Sequence, residues 1–127
     1  AQDRIYLPSG RFINYPALRQ EVTDSGKSWV YGEGRHKTFL YGGKVCENLV
    51  QAIARDVIAE QALEVKKRTG YNPIHMVHDE LVYSVPEDKA VEHLAIVAEV
   101  MRTPPKWWPE LVLSSEGDVG NTYGETK

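Results

Sequence analysis

The sequence predicts an α+β fold in which antiparallel hairpins accompany one long buried helix, and three observations predict it. Short apolar runs at two-residue spacing, broken by Gly, Pro and Ser, occupy residues 5–41. Residues 44–68 then contain neither Gly nor Pro, and strand-like runs return at 74–85. The 127 residues are 42% apolar with a net charge of −3 and a single cysteine. A chain this long buries roughly 65–70% of its unfolded surface, enough for one domain with one core. Cys46 alone cannot form an internal disulfide or a cysteine zinc site. No stretch approaches the ~18 apolar residues of a membrane span, so the chain is expected to be soluble.

Taken in order, Ile5-Tyr6-Leu7 and Arg11 to Tyr15 read as two strands around Pro8-Ser9-Gly10, closed by Pro16. A polar stretch follows. Ser28 to Tyr31 and Lys37 to Tyr41 then flank Gly32-Glu33-Gly34 as a second hairpin. The helix at 44–68 ends where Lys66, Lys67 and Arg68 suit the negative end of its dipole and Gly70 suits a left-handed cap. Ile74 to Val77 and Leu81 to Val85 form a tight hairpin around His78-Asp79-Glu80. An amphipathic helix is expected over 87–102, with Ala90, Leu94, Val97, Ala98 and Met101 on one stripe, ended by Pro104-Pro105. A last strand near Leu111 to Ser115 and a glycine-marked tail complete residues 107–127.

Charge is unevenly placed. Residues 1–70 carry eleven Lys and Arg against eight Asp and Glu, whereas residues 71–127 carry four against ten. On the long helix, Lys44, Glu47, Asn48, Gln51 and Arg55 share one stripe, and the apolar residues around it imply burial everywhere else. A solvated face would favour repeated Glu and Lys. Asn, Gln and Arg are instead the groups that read bases and phosphates, so nucleic acid is the candidate partner.

The turn carries the sharper signal, because a hairpin built only for stability would favour Asn-Gly or Asp-Gly at the place of His78-Asp79-Glu80. Carboxylates at a rigid tip suit Mg²⁺, which takes one or two protein oxygens beside waters and substrate phosphates. His75 and His78 fall on opposite strand faces, which sets a shared zinc ion aside. His36 and His93 read as surface residues, Cys46 as a small packed residue and Trp107-Trp108 as a packing anchor.

Together, Tyr41-Gly42-Gly43-Lys44, the run from Glu47 to Asp56, and Val77-His78-Asp79-Glu80-Leu81-Val82 resemble the C-terminal part of family A DNA polymerases, the DNA polymerase I type. Leu7-Pro8-Ser9-Gly10-Arg11 and Tyr15-Pro16 look most like the bacteriophage branch. The resemblance covers essentially the whole chain and implies part of a polymerase palm subdomain. It implies that Asp79 binds catalytic Mg²⁺, two ions in the complete enzyme, with Glu80 assisting and His78 near the primer terminus. Gln51 matches a helix glutamine that contacts the duplex minor groove, and Arg55-Asp56 match the pattern that follows it. Cellular members carry Asn four residues before that Gln, where this chain has Glu47 with Asn48 one place later, and the resemblance counts Asn48 among the DNA-facing residues. Lys44 completes the DNA-facing set.

The same resemblance implies DNA-directed DNA polymerase activity in replication, with primer-template DNA and deoxynucleoside triphosphates as partners. Localisation would be cytoplasmic, in the host cell if phage-encoded. The first-motif Asp and the nucleotide-binding fingers helix are not among these residues, so the chain reads as a fragment, inactive alone, that needs the amino-terminal polymerase portion as a partner. Two alternatives stand beside this reading: a non-catalytic nucleic-acid-binding or structural remnant of a polymerase, and a His-Asp metal phosphohydrolase using His78 and Asp79.

Overall fold

In the computed structural model, which describes residues 3–126, the short apolar runs become strands wherever a neighbouring run can supply the ladder. The result is a mixed α/β fold with small antiparallel sheets and helices. The chain divides into two compact units, one ending at Ile53 and the other beginning at Ala54.

In the first unit, β1 (Arg4–Tyr6) pairs with β2 (Phe12–Asn14), placing Ile5 opposite Ile13 and Tyr6 opposite Phe12. Gly10 takes φ +94° in the intervening turn, a conformation that suits glycine. A three-stranded sheet follows, made of β3 (Arg19–Thr23), β4 (Gly26–Tyr31) and β5 (Thr38–Leu40). Leu7, Tyr15, Val30 and Leu40 are buried in this unit, and the Tyr15 ring stands edge-on to Tyr31 at 5.1 Å.

Strand β3 lies in the stretch read from sequence as merely polar. It is held by a ladder to β4 running the whole strand, and charged side chains stand where apolar alternation was the sign sought. Glu21 accepts from Arg19 at 3.1 Å and from Lys37 at 3.0 Å, and Arg19 also donates to the carbonyls of Ala17 and Gly32. The hydrogen bond from Lys37, aided by Arg19, holds the Glu21 carboxyl below its ordinary range.

Helix α1 spans Gly42–Thr69, about 42 Å at 1.5 Å per residue. It is not buried throughout, which corrects the expectation of a long buried helix. Its buried residues are Asp56, Val57, Ile58, Gln61, Ala62 and Val65, all in the second unit, while Val50 is 60% exposed. Apolar composition on every face favours burial, but burial also requires a partner surface; the early turns are covered only in part, with Asn48 meeting Tyr15, and full burial begins at Asp56. Cys46, expected to be packed, is exposed.

The second unit closes around Val65, Val97 and Val100, with Tyr83, Ile96 and Met101 packed against them. Helix α2 (Ala90–Arg102), preceded by a 3-10 turn at Glu87–Lys89, supplies four of these six residues. The Gln61 amide is buried but donates to the Met101 carbonyl at 3.2 Å, and the Trp107 indole donates to Glu60 at 2.8 Å. At the end of α1, Gly70 takes φ +81° and its N–H reaches the Lys66 carbonyl at 2.7 Å.

The strand expected at Leu111–Ser115 does not form. Leu111, Leu113 and Ser115 are still half-buried in alternation with exposed Val112 and Ser114, but no strand edge lies beside them. The segment is tied to α2 instead: the Ser115 hydroxyl donates to the Ala98 carbonyl, and Arg102 donates to the Ser115 carbonyl. Residues 107–126 therefore remain irregular up to a 3-10 turn at Tyr123–Thr126.

Candidate metal and nucleic-acid site

The ionisable turn sits on the hairpin of β6 (His75–Val77) and β7 (Glu80–Val82), paired His75 to Val82, Met76 to Leu81 and Val77 to Glu80. The turn proper is the two residues His78 and Asp79, one shorter than expected, because Glu80 is already in the ladder opposite Val77. His78 adopts φ +51°. Tight hairpin turns demand positive φ at this first central position, where glycine is the usual solution; a β-carbon there costs about 1–2 kcal/mol. Such strain persists only where surrounding structure enforces it.

His78 and Asp79 are exposed and Glu80 is half-buried. A cleft of about 1,020 Å³ adjoins them; its walls carry Asp79, Glu80, Glu87, Glu116, Asp118 and Glu125, and no Lys or Arg is among the described residues that line it. Its field favours cations. Among the described residues no group of three or more His, Cys, Asp and Glu stands close enough to hold a metal ion. That donor set does not fit a closed tetrahedral site. It does fit Mg²⁺, which keeps most of its shell for water and substrate phosphate and needs only one or two carboxylates such as Asp79 and Glu80.

The polar stripe on α1 divides into groups with different work. Lys44 and Gln51 both reach Glu47, at 3.4 Å each, forming a short ladder along the exposed face. Asn48 points elsewhere, donating its amide to the Tyr15 hydroxyl at 3.0 Å and so pinning the helix to the buried tyrosine of the first unit. Arg55 is exposed and lies just beyond, in the second unit. The four acidic residues that join Asp79 and Glu80 in the cleft were not singled out from sequence. Only the acidic excess after residue 71 pointed to them, since they are scattered over nearly 40 positions.

His93 is the other omission. It is 6% exposed, neither ring nitrogen has a hydrogen-bond partner among the described residues, and burial pushes the imidazole below its ordinary pKa. The reading of His93 as a surface residue is corrected by its place on the inner face of α2.

With the geometry established, the chain can be set beside known proteins. It is 35% identical to a DNA polymerase of Bacillus phage SP02 over 126 residues, an alignment covering 94% of this chain. The chain spans 19% of that protein's length. No protein-family model matches the chain, and no solved structure matches it. No helix among the described residues is long and apolar enough to cross a membrane.

Proposed function

We propose that the chain is the C-terminal palm portion of a phage-type family A DNA polymerase and supplies the third-motif carboxylate, Asp79, for Mg²⁺-dependent nucleotidyl transfer. The observation that carries this reading is the 35% identity to a phage DNA polymerase across 94% of the chain. An exposed Asp79 on an enforced turn, beside a cleft of carboxylates, supports it.

Asp79 would hold Mg²⁺ with Glu80 assisting from the first position of β7. When bound, such ions supply activation of the attacking primer hydroxyl and stabilisation of the leaving oxygen. His78, leaving the same turn, would contact the primer terminus. Gln51 presents an exposed amide on the helix, and an amide N–H suits the acceptors of the minor-groove edge. Arg55 and Lys44 are cations suited to backbone phosphates, Lys44 by exchanging Glu47 for phosphate. Asn48 would act mainly by holding the helix to Tyr15.

The reading requires groups this chain does not supply, a second metal-binding Asp and a nucleotide-binding helix, so the isolated chain should not extend a primer. Primer extension by the isolated chain, then with the remaining polymerase portion added, tests this. Synthesis is expected only in the second case, and robust synthesis by the chain alone would refute the proposal. A His-Asp phosphohydrolase is not favoured, because further ligands would have to gather around His78 and Asp79 and none do among the described residues.

A further inference from the structure

The Tyr71–His93–Tyr83 cluster has no part in the metal chemistry above. Tyr71 precedes the β6–β7 hairpin and Tyr83 follows it, so the two rings bracket the His78-Asp79 turn in sequence. Both stand edge-on to the imidazole of His93, with centroids 5.5 Å away for Tyr71 and 4.6 Å for Tyr83. Tyr71 is held from behind: its N–H donates to the Thr69 hydroxyl, which donates to the Val65 carbonyl at the end of α1. His93 is thereby the point on α2 at which both ends of the hairpin are seated.

We propose that neutral His93 is a positioning residue that clamps Tyr71 and Tyr83, and through them the His78-Asp79 turn, and that adding a proton to its ring opens the clamp. The neutral ring packs between the two aromatic rings with both nitrogens lacking a hydrogen-bond partner among the described residues, a cost far smaller than that of burying a charge there. An imidazolium in the same place would be a buried charge with no acceptor, which is costly enough that the ring must leave. The cleft beside it offers a destination. Its carboxylates come from three segments: Asp79 and Glu80 on the hairpin, Glu87 on the 3-10 turn, and Glu116, Asp118 and Glu125 on the C-terminal segment; α2 lines the cleft with His93 and apolar residues only. They are solvated and do not outweigh burial at the ring itself, since the net effect on His93 is a lowered pKa from desolvation.

The sign follows from linkage. The unfolded imidazole takes its proton near 6.5, whereas the native ring takes it only at lower pH. Native packing therefore loses stability as pH falls from about 6.5 towards the native pKa, and loses no more from this group below it. The importance of the turn for catalysis rests on the proposed function, but the clamp itself can be tested without DNA, metal or nucleotide.

The test is an NMR titration of the 127-residue chain, following the His93 ring protons and the exchange of the Val77–Val82 amides. His93 should titrate below the ordinary imidazole value of 6.5, and amide exchange in the hairpin, corrected for the intrinsic pH dependence, should rise in step. That rise should be about tenfold per unit of pKa difference. His93→Phe should keep the hairpin protected with no step in this range; if it does not fold, His93→Gln, also uncharged, takes its place. Titration of His93 at or above the ordinary imidazole value would overturn the proposal. So would identical pH profiles of hairpin exchange in wild type and variant. Loss of polymerase activity in a D79N enzyme would leave this result untouched, so the two claims fail separately.

Discussion

His78 concentrates the local cost of the candidate site. A positive φ of +51° at a residue with a β-carbon is a departure that His, Asn and Asp tolerate better than β-branched residues do. His78→Gly should therefore raise stability by about 0.5–1 kcal/mol, the relief of strain less the entropy gained by the unfolded chain. Thermal unfolding measures it, and a loss of stability would mean that the His78 side chain makes contacts worth more than the strain. Tyr83 gives a second residue-scale expectation. Burial raises its hydroxyl from 10.0 to about 12, so the unfolded state ionises first and stability should fall between those pH values. Urea unfolding from pH 9 to 12 should show that decline, and Tyr83→Phe should flatten the part due to this group. The buried state of Tyr83 and His93 was not legible in sequence, because each lies in a run where polar neighbours such as Ser84 and Glu92 hide which face turns inward. His78, Asp79 and Glu80 were legible because ionisable residues between two apolar runs contradict the chemistry of an ordinary turn.

At the scale of elements, the helix shows what local pattern does and does not determine. The absence of Gly and Pro, the basic last turn and Gly70 mark where α1 can run and stop, but not what covers it. Leu49, Val50, Val57 and Ile58 look alike in sequence; Val57 and Ile58 are buried and Val50 is not. Val65→Ala, which removes two methyl groups from a site with no exposed surface, should cost about 2–3 kcal/mol. Val50→Ala should change stability by less than about 0.5 kcal/mol. Denaturant unfolding of both variants compares the two halves of the helix directly, and equal costs would contradict the uneven burial. The sheets teach the converse lesson. Strand β3 escaped notice because Arg19 and Glu21 occupy half-buried positions while its ladder to β4 leaves no apolar pattern, and Leu111–Ser115 looked like a strand because alternation survives without a ladder. Periodicity reports which side of a segment is covered; pairing depends on a neighbour that may lie anywhere in the chain.

For the whole molecule, the net charge of −3 conceals two different units. Residues 1–53 carry seven basic and five acidic side chains, and residues 54–127 carry eight and thirteen. The acidic unit contains the cleft beside Asp79, where negative charge attracts cations and where a bound divalent ion would offset it. A likeness to DNA polymerases was legible because several separate runs, none decisive alone, occur in one order along the chain, and the similarity to the phage protein extends over nearly all of it. The wider cleft was not legible, since its walls assemble from the hairpin, the turn before α2 and the C-terminal segment only on folding. The central claim is that Asp79 holds catalytic metal. The most direct measurement is single-turnover primer extension by the complete polymerase, wild type against Asp79→Asn, with primer-template affinity measured on the same samples. The account predicts a rate at least about 100-fold lower with DNA affinity little changed; a variant that extends primers at a near-normal rate would contradict it.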